Sequence, residues 1–414
     1  MELLRLEIGA VAHGGHCVAR HDGRVIFVRH ALPGEVVEAV VTEGGDDARF
    51  WRADAVAVLE ASPDRVESVW PEAGPTVGGR GGAGGGELAH VALPAQREWK
   101  LAVLRDAFGR FAGPTPGLAG FPTKVLAAPG DDERGGLRYR TRVGALAGAD
   151  GRASMRAHRS HRLVPLDSMP LATEAAEAAL LGARFPAGSE VLVVDASGED
   201  GVRVLVDGEP WRSGSRDRRD NAPRNVREVV TVGATEYHYR VAAAGFWQVH
   251  REAPAVLVNE VLARVGDAAR VLDLYAGSGS FTLPLAATGR EVTSIESDPA
   301  AARDARRNLH DHPNATVVEG DVRETLRAAA ASVDNATVDA VVLDPPRSGA
   351  GAATLEAIAA LSPANVVYVA CDPVALARDV ATLRDLGYDI ESATAWDLFP
   401  MTHHVETVAA FNRR

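Results

Sequence analysis

Over the first sixty residues, apolar positions alternate with polar ones at a spacing of two. Leu4–Leu6–Ile8, Val25–Phe27, Val36–Val40 and Ala53–Leu59 carry this pattern. Gly14-Gly15, Asp22-Gly23, Pro33-Gly34 and Gly44-Gly45 separate the runs, and Asp22-Gly23 is a hairpin signal. About five short strands in such a stretch predict a small barrel of OB type. Residues 74–86 are rich in glycine and read as a flexible linker or loop. They lack the Gly-Lys-Ser/Thr element of a phosphate-binding loop. Pro94 opens a helical pattern from Ala95 to Phe111, with Trp99, Leu101, Leu104 and Phe108 among its apolar positions.

Residues 120–245 mix strand-like runs (Val191–Asp195, Val202–Val206, Glu236–Val241) and predict a middle α+β domain. From about 246 onward, apolar strands alternate with helices. The strands are Val271–Tyr275, Glu291–Glu296, Thr316–Val318, Ala340–Leu343, Val366–Ala370, Ile390–Trp396 and Val405–Phe411. That alternation predicts a doubly wound, Rossmann-like α/β sheet.

Composition adds limits. A chain of 414 residues, 46% hydrophobic and 24% charged, suits a globular protein of two or three domains. No uninterrupted apolar run is long enough to predict a membrane span, and Met1 to Ala10 does not read as a signal peptide. Cys17 and Cys371 are the only cysteines. They predict two free thiols in a cytoplasmic protein and exclude a cysteine-based metal site. The net charge of −12 argues against a nucleic-acid partner. Locally the balance reverses: residues 134–162 hold eight arginines against Asp150, and residues 212–227 hold six against Asp217 and Asp220. Such a face can bind RNA or merely be a solvated surface.

The first strand of the α/β sheet runs into Asp273-Leu274-Tyr275-Ala276-Gly277-Ser278-Gly279-Ser280-Phe281. Glycines there let backbone N–H groups approach a ligand beside a helix N-terminus. Glu296 ends the second strand and can accept hydrogen bonds from ribose hydroxyls; Asp321 ends the third. The dinucleotide fingerprint G-x-G-x-x-G lacks its third glycine here, which argues against an NAD-dependent dehydrogenase. The pattern D-x-x-x-G-x-G is that of class I methyltransferases, whose cofactor S-adenosylmethionine has no pyrophosphate.

Two further loops carry chemistry. Asp344-Pro345-Pro346-Arg347 follows the fourth strand as a stiff loop at the ligand edge. Arg347 stands where methyltransferases of amino nitrogens have an aromatic residue, which disfavours adenine N-methylation. The fifth strand delivers Cys371-Asp372-Pro373 at a predicted helix N-terminus, a place that favours a thiolate. A lone cysteine is often just a small buried apolar group. A thiolate, however, activates C5 of a pyrimidine by adding to C6, after which a base removes the C5 proton. Glu406 is the candidate base; in isolation it also reads as an ordinary strand or salt-bridge residue.

These motifs resemble one family over essentially the whole chain: the RNA (uracil-5-)methyltransferases with an N-terminal TRAM domain. The resemblance rests on Phe246-Trp247-Gln248-Val249, Asp273–Phe281, Leu343–Gly349, Cys371-Asp372-Pro373 with Leu376-Ala377-Arg378-Asp379, and Phe399-Pro400-Met401-Thr402 with His404-Val405-Glu406. It implies S-adenosylmethionine held by Gln248, Tyr275, Ser280, Glu296, Asp321 and Asp344. It implies Cys371 as nucleophile, Glu406 as base, and rRNA or tRNA as partner of a monomer. It also implies three units: a TRAM barrel over 1–60, a middle α+β domain over 61–92 and 121–245, and a methyltransferase domain over 93–120 and 246–414.

Two departures stand out. Many members carry four cysteines for an iron–sulfur cluster, three of them near the glycine run; this chain has none there, so no cluster is expected. The family usually has Asn after the nucleophile, where this chain has Asp372, and a carboxylate beside a thiol raises its pKa. An RNA cytosine-5 methyltransferase would place a cysteine in the Asp344–Arg347 loop. A non-catalytic RNA-binding protein would tolerate loss of Cys371 and Glu406, both present here.

Overall fold

The computed structural model describes residues 3–45, 47–75, 82–113, 121–199, 201–331 and 338–414. The N-terminal alternation becomes six strands: β1 (Leu3–Glu7), β2 (Val11–Ala12), β3 (His16–His21), β4 (Arg24–Arg29), β5 (Val36–Glu43) and β6 (Phe50–Glu60). Their order is β1-β5-β6-β4-β3-β2, with β4 and β6 parallel. Backbone bonds from Gly9 N to Val18 O (2.8 Å) and from Val18 N to Ala10 O (2.9 Å) join the two ends into a barrel. Leu6, Ile26, Val28 and Val37 fill its interior.

Helix α1 (Leu93–Ala107) continues as a π-helical turn, Phe108–Ala112. Pro94 suits its first turn, where the missing N–H costs nothing. The helix has two apolar faces. Trp99 and Val103 pack into the barrel core, whereas Leu101, Leu104 and Phe108 pack against the C-terminal sheet. It is therefore the joint between those two units.

Part of the glycine run corrects the reading of a flexible linker. Residues 76–81 lie outside the described residues, but 82–86 are packed. Ala83 is buried and bridges Ala157, and Gly84 N donates to Arg156 O (3.4 Å). A Cβ on Gly86 would stand 2.6 Å from Ala73 Cβ and 2.8 Å from the Trp70 ring. Here glycine serves close packing, which composition alone does not distinguish from flexibility.

A middle sheet contains β8 (Arg142–Ala147), β9 (Ala153–Arg156), β10 (Leu163–Pro165), β11 (Glu190–Val194), β12 (Arg203–Val206), β13 (Glu209–Arg212) and β14 (Ser215–Arg216). The order is β10-β9-β8-β11-β12-β13-β14, antiparallel throughout. Helix α2 (Glu174–Leu181), capped by Thr173 Oγ1 accepting from Ala176 N (3.3 Å), covers it. Many arginines of the two basic segments are spent on structure. Arg142 is buried against Glu228 (2.9 Å), Arg219 pairs with Asp217, and Arg159 reaches Glu43 of the barrel.

The C-terminal sheet has eight strands. They are β7 (Val125–Ala127), β17 (Arg270–Leu274), β18 (Glu291–Glu296), β19 (Ala315–Glu319), β20 (Ala340–Leu343), β21 (Asn365–Ala370), β22 (Tyr388–Asp397) and β23 (Glu406–Arg413), ordered β19-β18-β17-β20-β21-β23-β22-β7. The stretch β19 to β21 is parallel and β23 runs against it. Helices α3 (Ala253–Val265), α4 (Thr282–Ala287), α5 (Pro299–Asn308), α6 (Val322–Ala331), α7 (Ala352–Ala360) and α8 (Pro373–Asp385) connect its strands. Two expected boundaries move. β7 pairs with β22, Ala395 opposite Val125, so Val125–Ala127 belongs to this sheet. The hairpin β15 (Asn225–Val232) and β16 (Thr235–Ala242) shares one core with α3 and α4: Val226, Tyr239 and Val241 pack with Val258 and Leu285. A period-2 pattern shows that a strand exists, not which sheet or core receives it. Among the described residues, no helix is long and apolar enough to cross a membrane.

Candidate active site

In a doubly wound sheet, ligands bind outside the carboxyl ends of the strands. Strand register fixes what stands there. Leu274 pairs with Ile295 and with Leu343, and Leu343 with Tyr368. Tyr275, Glu296, Asp344 and Cys371 therefore follow or end neighbouring strands at one edge, and Asp321 follows β19 at the same edge.

The chain turns sharply after β17. Tyr275 (φ +61°), Gly277 (φ +57°) and Gly279 (φ +88°) all take left-handed backbone, an unusual position for the bulky Tyr275. Glu296 holds this turn: one carboxylate oxygen accepts from Gly277 N (2.8 Å), the other from Asp298 N (2.6 Å). Asp321 is exposed and accepts from Glu324 N (3.0 Å) at the start of α6. Ser280 O accepts the Tyr239 hydroxyl (3.0 Å), and Tyr239 packs on Trp247 with ring centroids 5.0 Å apart. Gln248, partly exposed, is thus carried beside the turn, together with Phe246, which is 78% exposed.

Asp273 lies wholly buried below the turn. Its Oδ2 accepts from the Thr282 hydroxyl (2.6 Å), while Oδ1 has no partner. Burial pushes its pKa up to about 7, with Thr282 opposing the shift and the Glu296 charge adding to it. An orphaned carboxylate oxygen beneath a left-handed turn rimmed by acids fits a ligand with ribose hydroxyls and a positive centre.

On the other half of the edge, β21 and β23 are antiparallel with Ala370 opposite Thr407. Cys371 follows the one and Glu406 begins the other, so this register brings them together. Cys371 is partly exposed; Glu406 is 3% exposed.

Comparison with known proteins bears on this geometry. Residues 215–414 match the family described as tRNA (Uracil-5-)-methyltransferase, and residues 2–56 match the TRAM domain. An uncharacterized RNA methyltransferase of Bifidobacterium longum is 42% identical over 99% of this chain and 96% of its own length. A 23S rRNA (uracil(1939)-C(5))-methyltransferase of Halomonas elongata is 31% identical over 97% of this chain and 88% of its own. The chain belongs to the RNA (uracil-5-)methyltransferases. The crystal structure of the Pyrococcus abyssi tRNA (uracil-54, C5)-methyltransferase, in complex with S-adenosyl-L-homocysteine, has the same fold. Its TM-score is 0.69 at 22% identity, over 99% of this chain and 100% of that one. As a member of this family the enzyme depends on S-adenosylmethionine.

For this methyltransferase the expected thiolate at a helix N-terminus needs correction. Burial pushes the Cys371 thiol up to about 12, the carboxyls of Glu406 and Asp344 push the same way, and Arg347 opposes them. Helix α8 does not offset this, because Asp372 takes its N-terminus. Asp372 Oδ1 accepts from Val374 N (3.0 Å) and Ala375 N (2.8 Å). Glu406 is itself held well above the usual carboxylate range by burial and by Asp344, and Asp344 is pushed up to about 7 by burial and Asp273.

Several residues that tie down these loops had no role assigned from the sequence. Asp379 of α8 accepts from the Tyr368 hydroxyl (2.6 Å) and from Ala350 N (2.8 Å), tying down the loop after Pro346. On α1, Gln96 Oε1 accepts from Met401 N (2.7 Å), and Lys100 pairs with Asp397 and donates to Phe399 O (3.0 Å). The Tyr139 hydroxyl donates to Pro400 O (3.0 Å). These contacts fix the segment leading into Glu406. The available signal was polar Gln96 and Lys100, four apart, within an apolar helix face. Among the described residues, no group of three or more His, Cys, Asp or Glu is placed to hold a metal ion.

Proposed function

We propose that this methyltransferase modifies C5 of a specific uridine in structured rRNA or tRNA, with Cys371 as nucleophile and Glu406 as base. The observation that carries this reading is the β21–β23 register, which sets the two side by side at the edge that bears the Gly277–Gly279 turn. Gln248, Tyr275, Ser280, Glu296, Asp321 and Asp344 would hold S-adenosylmethionine, which when bound supplies the methyl group and a positive sulfonium.

Cys371 Sγ, as thiolate, bonds to C6 of the uracil, and the C5–C6 π electrons become an enolate spread over C5 and O4. C5 would then take the methyl group as its bond to the sulfonium sulfur breaks, leaving the neutral thioether S-adenosylhomocysteine. The Glu406 carboxylate takes the proton left on C5, the C5–C6 double bond re-forms, and the Cys371 thiolate is expelled. Burial of Glu406 keeps bulk water from competing for that proton.

The domain division forms part of this reading. The barrel and the middle sheet select the RNA, and the eight-stranded sheet with α1, β7 and the β15–β16 hairpin performs the transfer. Action in the cytoplasm as a monomer completes the proposal. An RNA cytosine-5 methyltransferase is disfavoured because the Asp344–Arg347 loop contains no cysteine.

The test is to map 5-methyluridine in RNA from wild-type and deletion strains, with complementation by wild-type or Cys371→Ala protein. One site should vanish on deletion and return only with the wild-type gene. No altered uridine, or restoration by Cys371→Ala, would overturn the proposal.

A further inference from the structure

The turn between β2 and β3 of the barrel reaches the edge that carries Cys371. His13 Nε2 lies 3.1 Å from Asp372 Oδ2, across 359 residues of sequence. The same imidazole meets His403 edge-on at 5.9 Å, three residues before Glu406. Gly15 of this turn approaches the same segment, since a Cβ there would lie 3.0 Å from Glu87 Cβ and 3.6 Å from His403 Cβ. The barrel thus touches both the segment that presents the nucleophile and the one that leads into the base.

We propose that His13 is a positioning residue of the methyl transfer: by pairing with Asp372 it offsets the carboxylate beside Cys371 and fixes the loop that aims Sγ. The inference rests on Cys371 being the nucleophile.

Asp372 divides its carboxylate between two tasks. Oδ1 caps α8, and Oδ2 faces His13. A bare carboxylate next to a thiol opposes thiolate formation, and Asp372 adds to the burial, Glu406 and Asp344 effects that already push Cys371 up. The His13 imidazole, 3.1 Å from Oδ2, engages that carboxylate on the side away from the helix cap. Other polar groups surround the pair. His403 faces His13 and has Glu87 3.7 Å behind it, His404 stacks on His403 at 4.1 Å, and Arg347 acts on Cys371 from the opposite loop. The His13 side chain is 45% exposed, so solvent reaches it at the mouth of the site. An active site completed by a barrel residue links RNA capture by that barrel to readiness of the thiol.

The experiment is a double-mutant cycle on the full chain with two readouts. One is the rate of Cys371 alkylation by iodoacetamide from pH 6 to 9, resolved from Cys17 by peptide mass spectrometry. The other is single-turnover methylation of the RNA. Asn replaces Asp as a helix cap with little loss, so Asp372→Asn removes the charge and spares α8. His13→Gln should slow both rates about two- to fivefold. His13→Lys should restore both rates. In the Asp372→Asn background, His13→Gln should change neither rate. An equal loss in both backgrounds, or none in either, overturns the inference. Alkylation reads the pairing whether or not Cys371 is the nucleophile, and methylation by Cys371→Ala separately overturns that reading.

Discussion

Cys371 and Glu406, 35 residues apart in sequence, meet because Ala370 of β21 pairs with Thr407 of β23. A strand reversal at the edge of a parallel sheet creates this meeting. It places a partly exposed thiol beside a buried carboxyl at the sheet edge that also bears the Gly277–Gly279 turn. The division of labour between the two groups gives the first prediction.

If Cys371 adds to C6 and Glu406 only clears the C5 proton, removing either has a different signature. Cys371→Ala should lose methylation and form no RNA adduct. Glu406→Gln should lose turnover by about 100-fold or more and accumulate a covalent protein–RNA complex. A denaturing gel with labelled RNA distinguishes them; an adduct formed by Cys371→Ala would sink the assignment.

Asp344 holds its proton up to about 7, well above the ordinary carboxyl value, because of burial and the Asp273 charge. A raised folded-state pKa contributes stability that is complete below about pH 4 and lost as pH rises through about 7. Wild-type protein should therefore lose stability over that window relative to Asp344→Asn, by about 1–3 kcal/mol at pH 8. Urea denaturation at several pH values checks this, and parallel profiles for the two proteins would refute it.

Lys100 and Asp397 form a fully buried ion pair between α1 and the end of β22. Lys100→Met leaves the carboxylate buried and alone, which should cost about 3–5 kcal/mol. The double variant Lys100→Met/Asp397→Leu should recover most of that loss. Its methylation rate should stay low, because the Lys100 bond to Phe399 O that steadies the segment before Glu406 is gone. Denaturation together with kinetics separates the two effects.

Phe246 projects an exposed ring beside Trp247, which packs on Tyr239, whose hydroxyl reaches Ser280 O of the turn after β17. An aromatic face open to solvent is suited to stacking on an unpaired base. Phe246→Ala should weaken RNA binding by about 1–3 kcal/mol while leaving S-adenosylmethionine affinity as it was. Filter binding and calorimetry read the two quantities independently.

Legibility in the sequence followed the range of the physics. The barrel strands, the α1 pattern and seven strands of the C-terminal sheet were readable because each rests on a local period of apolar positions. The strand-end acids and the Gly277–Gly279 turn were readable because their spacing is short. Packing of Gly82 to Gly86 was hidden, since glycine looks alike in a tight contact and in a loose tether. The allegiance of β7 and of the β15–β16 hairpin was hidden too, because their partners lie far away in sequence.

The sequence by itself determined the α/β class, the D-x-x-x-G-x-G turn and the presence of one cysteine at a strand end beside it. Those features follow from steric and hydrogen-bonding rules acting over a few residues. Only the tertiary structure decided which groups share the site: Glu406 beside Cys371 by register, and His13 on Asp372 from the other end of the chain. It also decided the acidity of the thiol. Helix α8 was already capped by Asp372, and burial with two neighbouring carboxyls pushed Cys371 upward. Acid strength depends on desolvation and on charges brought near by the fold, which no local pattern encodes.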